Sequence, residues 1–395
     1  MKAPERNIAM TEKLYYIDSL MHEFDATVIS CEEGKNCWLI TLDRTAFFPE
    51  GGGQYADTGY IGNVRISDVQ EKDGRIIHYA AAPLTVGETY PCRIDYEQRL
   101  RRMQAHSGEH IVSGITHNLY GLDNVGFHMG DEGIMTIDFN GELEEEQLAL
   151  IEKRANEAVR ANLPILCTFP DSETLAAMDY RSKLELTENV RIVEIEGIDR
   201  CACCAPHMKY TGQIGLIKLI EHTRHRGGVR VTLACGMDAV GYVNQIQSGA
   251  FAVSRLLSAK RHEIAKAVER VLNEQLKAKE RIGELSMALA REKAAKIEST
   301  EGNICVFDNV LDEVALRELV NMLSQKCGGF AAAFSGDDEA GYRYIIGSRH
   351  LDLRAASKKI NAAIGGRGGG STEMIQGRAN SSAALIQSVI FDMTV

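Results

Sequence analysis

Two histidines one helical turn apart, and a cysteine–histidine pair nearly a hundred residues later, constrain this chain more than any other feature. His106-Ser107-Gly108-Glu109-His110 places imidazoles at i and i+4, which share a face if the segment is helical. Cys203 and His207 stand at the same four-residue spacing in Cys203-Cys204-Ala205-Pro206-His207. Three imidazoles and one thiolate form a donor set suited to one zinc ion per chain, so the fold must bring a helix and a remote turn to a single point. Cys201 and Cys204 are competing thiols within reach of the same ion. Four protein donors are the pattern of a closed site, so chemistry there needs an exchangeable donor or a water positioned without touching metal. His106-x-x-Glu109-His110 also satisfies the inverted zinc-peptidase pattern, with Glu109 as general base and Glu185 or Glu188 as a further donor. That reading leaves Cys203, His207 and a glycine triplet at 51–53 without a role.

The 395 residues suffice for two or three domains. The formal charge of −11 means that a nucleic-acid partner must be met by a local basic face. Ten cysteines are scattered, with three close to His207, a pattern that suits metal ligation in a reducing compartment. No apolar run is long enough to span a bilayer and the N-terminus lacks the apolar core of a secretion signal, so no membrane association and a cytoplasmic location are expected.

The expected fold is α+β. Residues 1–95 alternate apolar and polar positions in short runs (26–30, 38–42, 63–69, 75–79) between Gly and Asp turns, which predicts a small β-barrel. Within it, Gly51-Gly52-Gly53-Gln54 offers a backbone able to take φ > 0 beside a side chain that both donates and accepts; a flexible hairpin loop is the plain alternative. Residues 96–240 are expected to pack helices on an antiparallel sheet. Ile111, Ile115 and Leu119 continue the His106 helix and Gly121 ends it, with further helices over 144–162 and 175–186. Residues 241–300 read as a helical arm or coiled coil, from a seven-residue repeat through Leu257, Ile264, Val271, Ala278 and Leu285 with a second line through Val268, Gln275, Ile282 and Leu289. The arm is a linker, a spacer or a dimer seam. Residues 301–395 read as a separate α/β unit. Its last part, 341–395, holds seven Lys/Arg against three acids and a glycine loop, Gly365-Gly366-Arg367-Gly368-Gly369-Gly370. Exposed backbone N–H groups there, with Arg354, Lys358 and Arg367, would bind phosphate; a solvated surface with tight turns is the alternative.

These residues resemble the freestanding alanyl-tRNA editing proteins and the editing region of alanyl-tRNA synthetase. The likeness rests on Phe47-Phe48-Pro49-Glu50-Gly51-Gly52-Gly53-Gln54, on His106-x-x-x-His110, on Asp199-x-x-x-Cys203-x-x-x-His207 and on Thr211-Gly212-x-Ile214-Gly215. Val229-Arg230 through Gly236 resembles the strand that closes that domain, and the C-terminal glycine cluster with Gln376-Gly377 looks like the family's DHHA1-type domain, so the likeness is to the long form. No segment resembles a class II aminoacylation core. The resemblance implies a trans-acting hydrolase that removes serine, and glycine as a further candidate, from mischarged tRNA(Ala). It also implies zinc at His106, His110, Cys203 and His207. Thr45 and Gln54 are expected to recognise the seryl hydroxyl, Gly51, Gly52 and Gly53 to stabilise the oxyanion, and Glu109 to accept the proton of water. A homodimer is expected through the arm or the C-terminal domain. The rival class is a non-catalytic tRNA-binding protein that keeps zinc for folding. Two departures stand out: Cys204, Ala205 and Pro206 replace small residues and Thr before the last donor, and Glu109 stands where the synthetases often carry Thr.

Overall fold

The computed structural model describes residues 10–130, 133–182 and 190–393, and the chain divides into two compact units, Met1–Ala250 and Phe251–Val395. In the first unit the alternating N-terminal runs form six strands: β1 (Glu23–Glu33), β2 (Trp38–Leu42), β3 (Gly59–Ile61), β4 (Val64–Lys72), β5 (Arg75–Ala80) and β6 (Thr89–Ile94). They close into a barrel in the order β1-β2-β5-β4-β3-β6. Closure satisfies every strand edge, so short strands suffice. Val28, Ile40, Leu42, Ile61, Ile66 and Ile76 fill the interior.

The rest of the unit packs helices on antiparallel sheet. Helix α1 (Tyr96–Tyr120) ends at Gly121, whose φ of +67° lets its N–H return to His117 O at 2.8 Å. Strands β7 (Asn124–Met129) and β8 (Ile134–Phe139) precede α2 (Glu145–Ala161), which a capping box between Glu144 and Gln147 starts. A three-stranded sheet follows, made of β9 (Ile165–Thr168), β10 (Ile192–Ile195) and β11 (Asp199–Ala202). Strands β12 (Ile217–His225) and β13 (Gly228–Cys235) then complete a second sheet in the order β12-β13-β8-β7. Met103, Ile111, Val112 and Ile115 of α1 meet Ile137, Val231 and Leu233 of that sheet. Leu119, expected on this face, is 44% exposed, because its turn runs past the apolar cluster. The helix expected over 175–186 is found earlier, Ser172–Ala177, where Asp171 accepts from Thr174 N–H, and residues 178–182 are not helical; residues 183–189, with Glu185 and Glu188, lie outside the described residues.

The expected long arm is two helices, α3 (Gly236–Leu256), which crosses the division between units, and α4 (Ile264–Lys296). The break falls at Ser258, with φ +48°. Along α4 the residues that are buried are Ala267, Ala290 and Ala294, while Val271, Ile282 and Leu285 of the heptad repeat stay exposed. Small side chains let the helix's last turns lie close on its neighbour; a coiled-coil partner for the apolar stripe is not supplied within the second unit's described residues.

That unit continues with β14 (Ile304–Phe307), α5 (Glu313–Leu323), β15 (Ala331–Asp337), β16 (Gly341–Gly347), α6 (Leu353–Ala363), β17 (Gly366–Gly370), β18 (Met374–Ala379) and α7 (Ala383–Asp392). Its sheet runs β14-β15-β16-β18-β17, with only β14–β15 parallel. Helix α5 covers one face through Leu316, Leu319 and Leu323, and α6 and α7 cover the other through Leu353, Ile360, Ile386 and Ile390. The expected glycine loop at 365–370 is instead edge strand β17. Gly368 lies opposite Gly377, and a side chain at either would overlap the facing backbone and the Tyr344 hydroxyl, so the glycines allow pairing rather than looping. Among the described residues no helix is long and apolar enough to cross a membrane.

Candidate metal centre

Helix α1 carries His106 and His110 on its buried face, and the turn after β11 brings Cys203 and His207 to them. One donor atom from each of the four lies within 4.8 Å of the others. The Cys203 Sγ is 3.4 Å from His106 Nε2, and the three imidazole centroids are 4.6–5.4 Å apart. Tetrahedral zinc with N and S donors spaces them by roughly 3.4–3.6 Å, so the cluster is close to ligating dimensions.

Each imidazole is oriented by a partner on its far nitrogen. His110 Nδ1 donates to Asp199 Oδ2 at 2.8 Å, and Asp199 Oδ1 accepts from Arg181 Nε at 2.8 Å. His207 Nδ1 donates to Ala205 O at 2.7 Å, and His106 Nδ1 faces Gln54 Oε1 at 3.3 Å. All three Nε2 atoms are thereby turned toward the centre, the outer-shell arrangement that metal-binding histidines need. His207 Nε2 is buried with no hydrogen-bond partner among the described residues. A buried acceptor left bare is costly, and a cation is what this one fits.

Charge agrees with geometry. Burial pushes the His207 imidazole down to about 3, so it is neutral with its lone pair available. Burial opposes a charge on Cys203, but His106, His110 and His207 outweigh it and hold the thiol well below its usual range. Burial likewise opposes a charge on Asp199, yet His110 and Arg181 keep its carboxyl below the ordinary carboxylate range.

The ligand turn is clamped by residues the sequence reading passed over. Arg191 Nη1 donates to Cys203 O at 2.9 Å and Ala205 O at 2.8 Å, and Ser107 Oγ accepts from Met208 N–H at 3.0 Å. Ala205 and Pro206 therefore do not loosen this turn: the carbonyl of Ala205 supplies the contacts. Asp199 had a visible signal, four residues before Cys203. Arg181 and Arg191 had none, because their roles depend on strand pairing across β10 and β11.

A second tie sets the glycine segment against α1. Arg99 and Asp57 form a fully buried ion pair, with Nε at 3.0 Å and 2.9 Å from the two carboxylate oxygens. Asp57 Oδ2 accepts from Phe48 N–H at 2.7 Å and Arg99 Nη2 donates to Ala46 O at 2.6 Å. Gly51 and Gln54 exchange both backbone hydrogen bonds at 3.0 Å, so the segment is a tight turn and not a flexible loop. Gly52 and Gly53 have φ of +60° and +82°, the conformation a two-residue turn of this hand requires. The Gly51 N–H is spent on that turn. Gly52 and Gly53 line the cleft that contains His106, His110, Glu109 and Cys203.

The other expected site residues divide. Gln54 is buried beside His106, which lines the cleft; its Oε1 faces His106 Nδ1 while its Nε2 has no partner among the described residues. Thr45 is not brought there: its hydroxyl donates to His78 Nε2 at 2.9 Å and accepts from Phe47 N–H at 3.1 Å inside the barrel. Glu109 Oε1 accepts from Ser113 Oγ at 2.6 Å and from Asn124 Nδ2, and Oε2 lies 3.9 Å from His110 Nε2. Cys201 groups with His110 and Asp199, whereas Cys204 lies against Gly52. In the second unit, Arg367 is in register with Arg378 and through it with Arg343, which puts these three on one sheet face. Arg354 and Lys358 are on α6, over the opposite face, so the expected patch is split.

Two family models match the chain: tRNA synthetases class II (A) over residues 5–98, and the threonyl and alanyl tRNA synthetase second additional domain over 190–231. The first match covers the barrel. The second contains Cys203 and His207. Along almost its whole length the chain is similar to alanyl-tRNA editing protein AlaX-L of Pyrococcus horikoshii, 28% identical across 97% of this chain and 98% of that protein. It is 32% identical to the alanine–tRNA ligase of Halobacterium salinarum over 85% of this chain but only 38% of the ligase. Among solved structures, the C-Ala domain of Aquifex aeolicus alanyl-tRNA synthetase matches 23% of this chain and 91% of its own length, at 20% identity and a TM-score of 0.19, too low to carry an argument.

Proposed function

We infer that this chain is a freestanding alanyl-tRNA editing protein of the AlaX-L kind, a hydrolase that acts in trans on mischarged tRNA(Ala). Similarity to AlaX-L along nearly the whole chain supports this, and the observation that carries it is a cluster of four donors, three of which line one cleft with the glycine turn. The substrate we assign is Ser-tRNA(Ala), with Gly-tRNA(Ala) second, and the metal is one zinc held by His106, His110, Cys203 and His207.

Zinc in that donor set supplies a fixed positive charge and Lewis acidity. Gln54 offers the substrate only N–H donors, because its carbonyl is held by His106. An unpartnered buried amide suits the oxygen of a seryl side chain and is left bare by alanine, which has none. Discrimination by a buried polar group is far stronger than discrimination by an apolar pocket. Gly52 and Gly53, with Gly51 excluded, present the backbone edge at which an oxyanion would be stabilised. Glu109 accepts the proton of the attacking water through the carboxylate oxygen nearer His110. The barrel (1–95) and the α+β region (96–240) form the editing domain, 241–300 is the helical arm, and 301–395 is a DHHA1-like tRNA-binding domain. Phosphate contacts there come from the Arg343–Arg378–Arg367 row, with Arg354 and Lys358 as a separate outer set. A homodimer through the exposed stripe of α4 or the C-terminal unit, and a cytoplasmic location alongside translation, complete the reading.

Incubation of the purified zinc-loaded protein with Ser-tRNA(Ala) and Ala-tRNA(Ala) tests it. Release of serine with Ala-tRNA(Ala) left intact is expected; no release from either makes the protein a non-catalytic binder. Arg343→Ala, Arg378→Ala and Arg367→Ala should each lower the salt slope of tRNA binding by roughly 0.7–0.9. An unchanged slope removes the arginine row from the interface.

A further inference from the structure

The metal cleft has an aromatic wall that the proposed chemistry does not use. Phe169, in the turn after β9, is 52% exposed and lines the same cleft as His106, His110 and Cys203. Its ring meets that of Tyr16 edge-on, with centroids 5.3 Å apart and planes at 69°. Tyr16 is held from several sides: Tyr15 packs on it edge-on at 4.6 Å, Arg191 Cζ lies 5.2 Å from its centroid and Lys13 Nζ 5.8 Å. Lys13 is also paired with Glu71 at 2.8 Å.

A single exposed aromatic ring is ordinary surface. This one is unusual in its backing and its position. Arg191 is the residue whose Nη1 holds the carbonyls of Cys203 and Ala205. The guanidinium that fixes the metal-binding turn therefore also fixes the ring behind Phe169, and the exposed face is linked to the ligand turn through Tyr16 and Arg191. The wall and three of the four donors line one cleft, which offers a place for a base beside a place for an ester. Aromatic faces beside cations are how proteins hold single-stranded nucleic-acid ends whatever their sequence.

We propose that Phe169, backed by Tyr16 and Arg191, is the stacking platform for the terminal adenine of the acylated RNA. Phe169 touches the base, while Tyr16 and Arg191 are positioning residues that keep the platform and the metal-binding turn in one rigid block. This rests on the deacylase reading and adds to it the base by which the ester is brought to the cleft.

The test uses the full zinc-loaded chain and two non-hydrolysable probes, the seryl amide of 3′-amino-3′-deoxyadenosine and the same amide lacking the base. Phe169→Ala, at an exposed position, should weaken the adenosine probe about 5- to 150-fold and leave the base-less probe unchanged, with Phe169→Trp restoring affinity. On Ser-tRNA(Ala) the loss should fall on KM more than on kcat. Equal binding of the adenosine probe by wild type and Phe169→Ala overturns the proposal, as does an equal loss for both probes or a wild type that binds neither. Intact Ser-tRNA(Ala) with a normal base-dependent binding difference sinks the deacylase reading and leaves the platform standing.

Discussion

The two units spend their buried volume differently. The first buries His106, His110, His207, Glu109, Asp199, Arg99 and Asp57, and every one of them has a charged or hydrogen-bonding neighbour. In the second, Phe330, Phe334, Ile346, Leu319, Ile360 and their neighbours make two apolar clusters, and Asp308 is the buried charged residue among those described. Buried polar groups are tolerated only when each is satisfied. One unit accordingly stands on a buried polar network whose members depend on one another, and the other on apolar area and packing.

Metal removal should separate them most sharply. Structural zinc contributes on the order of 10 kcal/mol in small zinc domains. Chelation, or His207→Ala, should abolish deacylation and strip most of the stability from the first unit, leaving the calorimetric transition of the second in place. If both transitions move together, the contrast fails.

A matched pair comes next. Arg99→Met leaves Asp57 buried without its cation and should cost the first unit about 3–5 kcal/mol, whereas Phe334→Ala opens a cavity in the second and should cost it about 3–5 kcal/mol. Removing Asp57 as well, as Arg99→Met with Asp57→Leu, should recover part of the first loss; urea titration of single and double variants reads this directly.

Glycines give a smaller contrast. Gly53→Ala must hold φ near +82° and would bring its Cβ to 2.8 Å from Phe127, so a cost of about 1–3 kcal/mol and slower deacylation are expected. Gly369→Ala, with nothing within 4 Å and no positive φ, should change stability by less than about 1 kcal/mol. Thermal melts of both variants decide whether the turn is strained by design.

The smallest effect concerns pH. Arg230 holds the Asp138 carboxyl below its ordinary range. Because the folded value is depressed, the stabilisation is complete above the unfolded value near ~4 and is lost as pH falls through the folded one. Asp138→Asn should therefore flatten the acid side of the first unit's melting curve by about a degree or two and leave the neutral baseline lower.

Much of this was legible because it is local. The His106–His110 spacing, the alternation at 38–42 and 75–79, and the Glu144 start of α2 depend on residues within a few positions of each other. What misled was local chemistry overruled from afar. Gly366–Gly370 has loop composition, yet Met374–Ala379 recruits it into a sheet. Thr45 sits near the glycine turn in sequence, yet His78 draws its hydroxyl into the barrel. The heptads of α4 encode an apolar stripe without saying what covers it.

By itself the sequence put forward the candidate donors, the two helical periodicities and the position of the glycine turn, since each is written in residue type and spacing; which thiol joins the three imidazoles was decided by the fold. Tertiary structure alone decided which nitrogen of each histidine faces the centre, that Arg191 and the Ser107 hydroxyl together clamp the ligand turn, and that Arg367 belongs with Arg343 and Arg378. Those outcomes depend on contacts between residues distant in the chain, where packing and strand register, and no local propensity, choose the partner.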